Sequence, residues 1–197
     1  MSERVYLFKR YERFWHWFQM AIVASLLVTG FEVHGTWRLL GFPLAALLHE
    51  AAATALVLLM LFTMFWHATT GEGRQFLPTR QGFKDQVRYY ARGIFFGEEE
   101  GHVPSPEAKF NPVQRAAYFG LLVFLFPVQV GTGLLYLAAR WRPDAVAWLG
   151  GLRGVALIHT AGAYALVCFL IVHLYMLSTG PGARAHLRAM VTGWHHR

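Results

Sequence analysis

Ten histidines occur in the chain, and five of them, His16, His49, His67, His159 and His173, fall within or at the ends of long apolar runs. A coordinating or ionisable side chain in such a run is costly to bury, and by default it marks function. His159 and His173 are 14 residues apart, which leaves them about 40° apart around a helix and therefore on one face. The same spacing separates them by about 21 Å along the axis. One metal ion cannot bridge that distance, so a zinc site with two histidines one turn apart is excluded. Two flat metalloporphyrins stacked one above the other fit it.

Each such group needs a second axial ligand from another helix at the same depth. His16 is level with His173, and His49 is level with His159, so the pairs that close are His16–His173 and His49–His159. A single membrane histidine is more often a hydrogen-bonded packing residue, whereas four at two matched depths call for ligation. His67 is the rival. It lies 18 residues after His49, on the same face by phase, level with His16 and His173, but within the interfacial segment Trp66-His67-Ala68. His34 and His102 in connections, and His186, His195 and His196 in the tail, read as ordinary polar positions. Gly30 returns to the face of His16 at the depth of the other pair, where a missing Cβ lets a flat group approach the backbone. Gly131 and Gly133 could serve that purpose or helix–helix packing.

Four segments must position these residues: about Phe14 to Val33, Leu44 to His67, Ala116 to Ala138 and Val155 to Leu177. Each is long enough to cross about 30 Å of hydrocarbon. Short connections make two antiparallel hairpins, joined by the long connection 68–115. The expected fold is therefore all-α, a single four-helix membrane bundle with no internal sequence repeat. Composition agrees, with 55% hydrophobic and 15% charged residues, against about 25% charged in soluble domains. The net charge of +7 does not imply nucleic acid, because the basic residues lie between the apolar runs.

Of the 18 lysines and arginines, only Arg38, Arg140, Arg142 and Arg153 lie on the side of the short connections. The rest lie on the opposite side, which places both termini in the cytoplasm. Arg13, Arg115, Arg38 and Arg153 stand where acidic substituents of a macrocycle could emerge. Residues 82–96 put Phe83, Val87 and Tyr90 on one face, as either a surface helix or a solvated loop, and Glu98–Glu100 reads as a solvated turn. The one cysteine, Cys168, leaves no intrachain disulfide and no cysteine-held iron–sulfur cluster. The charged start, followed by a run of spanning length, gives no sign of a cleavable leader.

Nearly the whole chain resembles the di-haem cytochrome b subunits of respiratory enzymes. These are the formate dehydrogenase gamma subunit, the thiosulfate reductase cytochrome b, the b-type cytochrome of nickel–iron hydrogenases and bacterial cytochrome b561. The resemblance rests on Phe14-Trp15-His16-Trp17 with Thr29-Gly30, on Ile158-His159-Thr160-Ala161-Gly162, on Val172-His173-Leu174-Tyr175-Met176, and on the segment from Lys109 to Arg115. It implies two haem b groups, with His16 and His173 on the cytoplasmic one and His49 and His159 on the outer one. It also implies a menaquinone or ubiquinone site with Asn111 and Gln114 as contacts. Amides can hydrogen-bond a quinone oxygen without adding charge, although both residues also suit a helix start ahead of Pro112. Val113 departs from the glycine that formate dehydrogenase relatives tend to carry. The expected role is electron transfer between the quinone pool and a periplasmic-side catalytic, iron–sulfur or multihaem cytochrome subunit. The alternatives are an autonomous quinol oxidase of the cytochrome b561 type and a haem-free anchor or transporter.

Overall fold

A computed structural model describes residues 4–178 and 183–196. Four helical segments in it are long and apolar enough to cross a membrane. The first two are α1, Arg10–Val33, and α2, Phe42–Thr70. Both outrun the hydropathic segments because polar groups close their ends. The Glu12 carboxylate accepts the Lys9 N–H at 2.7 Å, and Gly71, at φ 74°, ends α2 in a left-handed conformation that glycine adopts without steric cost.

The turn between α1 and α2 is held by an acidic side chain at a membrane boundary. Glu32 is 5% exposed, and its Oε1 accepts the N–H groups of Leu39, Leu40 and Gly41 at 2.9, 2.6 and 2.7 Å. These amides precede a helix start and have no carbonyl partner in α2. The carboxylate supplies one.

The cytoplasm-assigned connection contains a further helix, α3, Phe83–Ala91. Its buried positions are Gln86 and Tyr89, while Val87 is exposed. The expected Phe83–Val87–Tyr90 face is therefore not the packed one. Glu100, expected in a solvated turn, instead accepts from Gln86 Nε2 at 2.9 Å and Asn111 Nδ2 at 3.1 Å. It pins α3 to the start of the third span.

That span begins with α4, Pro112–Gly120, widens to a π-turn at Leu121–Leu125, and continues as α5, Phe126–Ala139. Pro127 explains the widening, since it lacks an N–H and its ring crowds the carbonyl four residues back. A 3-10 turn, Pro143–Leu149, leads into α6, Gly151–Ser178. Close backbone approaches join α1 to α2 and α5 to α6. One cluster, of Ile22, Leu56, Leu59 and Phe126, packs the first hairpin against α5. At the turn end, Arg140 pairs with Glu50, linking the two hairpins.

The tail adds elements that the hydropathy pattern did not suggest. Helix α7, Ala183–Thr192, is followed by β2, Trp194–His196, which pairs antiparallel with β1, Arg4–Tyr6. Tyr6 packs edge-on against Trp194 at 5.1 Å, and Trp17 Nε1 donates to the Met190 carbonyl at 3.1 Å. Both chain ends are thereby fastened at the same end of the bundle.

Candidate cofactor site

His49 lies in the second turn of α2 and His159 in the third turn of α6, so both sit near the end of the bundle that carries the hairpin turns. Their ring centroids are 6.3 Å apart. His16 and His173 occupy the opposite end, with centroids 6.4 Å apart. All four side chains are half-buried, in the space between the two hairpins. Two imidazoles on opposite sides of one metal ion, each bonded at about 2.0–2.1 Å, place their centroids about 6.3 Å apart. Both pairs have that separation, so these residues fit a group whose metal takes one imidazole on each face. Among the described residues there is no cluster of three or more His, Cys, Asp and Glu side chains that could hold a bare metal ion.

The surroundings differ between the two ends. At the turn end, Thr29 Oγ1 is 3.0 Å from His49 Nδ1, and Thr132 Oγ1 is 2.7 Å from His159 Nδ1. At the other end, His16 Nδ1 is buried without a partner, and the ring stands edge-on to Trp17. Phe169 stacks on His173 with centroids 5.8 Å apart and planes 18° apart.

Gly30 sits directly against a histidine. A Cβ built on it would lie 3.0 Å from His49 Cε1. Gly133 stands in a looser version of the same place beside His159, at 3.8 Å, while Gly131 faces open space. His67 is not brought opposite His16 or His173. Its ring is edge-on to Phe76 at 5.0 Å and to Trp15 at 6.3 Å, and its Nδ1 is buried without a partner.

Asn111 and Gln114 come together as a capping box at the start of α4. Asn111 Oδ1 accepts the Gln114 N–H at 2.9 Å, and Gln114 Oε1 accepts the Asn111 N–H at 3.1 Å. Asn111 is 1% exposed, and its Nδ2 donates to Tyr90 and Glu100. Burial pushes the Tyr90 phenol up, aided by the neighbouring Glu100 carboxylate, so it stays a neutral O–H. The Gln114 amide nitrogen takes no part in the box. Aromatic contacts lead from this corner toward His173: Phe110 to Tyr118 at 5.1 Å, then Tyr118 to Phe169 at 6.3 Å. An apolar groove of about 380 Å³, lined by Leu121, Phe124, Ala165 and Phe169 among others, lies alongside.

The arginines have mostly structural employment. Arg115 donates to the carbonyls of Leu77 and Arg74 at 2.7 and 3.2 Å, and Arg13 donates to Val191 of α7. Arg115 is thereby fully employed, whereas the Arg13 Nε is buried without a partner. A charge network that sequence reasoning missed lies next to them. The Lys109 side chain, 2% exposed, pairs with Glu12 at 2.6 Å and Glu72 at 3.4 Å, and Lys9 also pairs with Glu72. Burial raises the Glu72 carboxyl, but the two ammonium groups outweigh it and hold it below the ordinary range. The opposite charges at positions 9, 12, 72 and 109 gave no signal, because only folding unites them. His34, read from the sequence as an ordinary polar position, has a structural role. It caps α1 and hydrogen-bonds Thr160, the neighbour of His159.

A membrane-spanning four-helix bundle with paired histidines at two levels defines the class of b-type cytochromes. The pattern of the prokaryotic cytochrome b561 family matches residues 7–193, and the chain belongs to that family. It is similar to the protein named cytochrome YdhU of Escherichia coli K12, with 32% identity over 98% of this chain and 76% of that one. It is also similar to the protein of the same organism named Ni/Fe-hydrogenase 1 B-type cytochrome subunit, with 25% identity over 87% of this chain and 81% of the other. Membership implies b-type haem and electron transport.

Proposed function

We propose that this chain is the membrane cytochrome subunit of a respiratory complex, carrying electrons between a periplasmic-side partner and the quinone pool. Two haem b groups serve it, held by His49 and His159 near the outer surface and by His16 and His173 near the cytoplasm. The observation that carries this reading is the equal separation of the two histidine pairs, 6.3 and 6.4 Å, at opposite ends of the bundle. Haem supplies one-electron chemistry at each level when bound. The chain's own residues supply ligation, spacing and a dry path. Two imidazoles facing each other at each level would leave a bound haem no open position for oxygen.

Orientation follows the lysine and arginine imbalance, with both termini and the connection 68–115 in the cytoplasm of a bacterial inner membrane. The fastening of β1 to β2 is consistent with two ends on one side. In this reading quinone exchanges beside His173; the Phe110–Tyr118–Phe169 series and the apolar groove support it, since they offer contact for a ring and an isoprenoid tail. Of the two amides there, Gln114 is the better direct contact, since the Asn111 amide is occupied. The relative named as a hydrogenase cytochrome subunit supports a catalytic partner over an autonomous quinol oxidase. Copurification from a mild detergent tests that: a redox subunit should accompany the chain, and a chain that turns over quinol alone would refute it.

The ligand assignment is tested by absorbance. The purified chain should show a reduced b-type alpha band, His49→Ala should lose about half of it, and His67→Ala should retain it. Loss of one haem in His67→Ala would overturn the cytoplasmic pairing, and absence of the band would refute the haem reading outright.

A further inference from the structure

The two outer histidines are supported by the same two-residue device. Thr29-Gly30 on α1 stands behind His49 of α2, and Thr132-Gly133 on α5 stands behind His159 of α6. In each case the threonine hydroxyl meets Nδ1, at 3.0 and 2.7 Å, and the glycine lies against Cε1. Each hydroxyl has a single proton, and its position is already decided. Thr29 Oγ1 is 2.6 Å from the Ser25 carbonyl and Thr132 Oγ1 is 2.6 Å from the Val128 carbonyl. Two oxygens approach that closely only when a proton lies between them. Toward the imidazole each hydroxyl can therefore only accept, so Nδ1 carries the ring proton and Nε2 presents a lone pair.

We propose that Thr29 and Thr132 are positioning residues that lock both outer histidines in the Nδ1–H tautomer and make them stronger ligands than an unsupported imidazole. This rests on the reading of His49 and His159 as haem ligands. A hydrogen bond accepted from the far ring nitrogen raises ligand basicity, and a more basic ligand favours the ferric form. The device therefore lowers the reduction potential of the outer haem. The inner site lacks it at His16, whose Nδ1 is buried without a partner.

The test is a spectroscopic redox titration of the full-length chain in detergent, comparing Thr29→Val, Thr132→Val and the corresponding serine variants. Valine should raise the potential of one haem by about a tenfold change in its ferric-to-ferrous ratio, which is about 59 mV for one electron. The other haem should not move, and serine should restore the original value. If a valine variant loses a haem, serine decides: retention at the original potential supports the proposal, and loss overturns it. No shift, an equal shift of both haems, or serine behaving as valine overturns it too. His49→Ala run in parallel separates the causes. If it loses one haem while the valine variants are unshifted, only the threonine role fails. If it keeps both, the ligand reading itself fails.

Discussion

Gly30→Ala adds a single methyl group at the tightest backbone approach to a proposed ligand. The new Cβ would stand 3.0 Å from His49 Cε1 and 3.4 Å from Nδ1, where apolar contact is comfortable only at about 3.5–4.0 Å. The ring must retreat by roughly half an ångström, yet Thr29, the residue next to the new methyl, holds Nδ1 at 3.0 Å. Overpacking of this kind costs about 1–3 kcal/mol. Alanine in a helix is better than glycine by about 1 kcal/mol, so global stability should change little. The two effects act in different places, however. The propensity gain is spread along α1, whereas the steric cost falls on the placement of one ligand. At about 1.4 kcal/mol per tenfold, haem retention at the outer site should weaken about 5- to 150-fold.

Gly131→Ala is the matched control, since nothing lies within 4 Å of its Cβ position. It should raise the melting temperature slightly and leave haem content alone. Gly133→Ala, in ordinary contact at 3.8 Å, should be tolerated. The assay is the haem-to-protein absorbance ratio after dilution in detergent, alongside a thermal melt. If Gly30→Ala and Gly131→Ala retain haem equally, the close-approach argument is wrong.

Buried polar groups at the two ends of the bundle give further expectations. Lys109→Ala removes the buried ammonium from Glu12 and leaves Glu72 only Lys9, and should destabilise by about 3 kcal/mol, the low end for a broken buried pair because both carboxylates keep other partners and some water. A detergent melt reads this, and an unchanged melting temperature would refute it. Glu32→Ala leaves three N–H groups without their acceptor, each worth about 1 kcal/mol or more; increased proteolysis between α1 and α2 should follow, and Glu32→Gln should recover part of the loss. The Glu72 carboxyl is held below its ordinary value of 4.5. It therefore contributes stability that is fully present above about pH 4.5 and is lost as pH falls through the lower folded-state value. Melting temperature should drop on acidification below that point, and Glu72→Gln should flatten the drop.

Hydropathy and helical phase set out the four spans, because hydrocarbon demands about 20 apolar residues with internally satisfied backbones. The same two features put His49 with His159 and His16 with His173, since depth along a helix is a count of residues. Phase could not separate His16 from His67, which share a level and an aromatic neighbourhood. That choice needed the packing of Trp15 and Phe76 around the His67 ring. Nor could it find the Thr29 and Thr132 supports, because a hydrogen bond depends on how two helices rotate against each other. The Glu12–Lys109–Glu72 network and the β1–β2 fastening join residues that lie far apart in the chain. What the sequence determined was where each side chain stands along the membrane normal. Only the tertiary structure decided which side chains meet at a given level, because lateral neighbours are chosen by packing and not by the count along the chain.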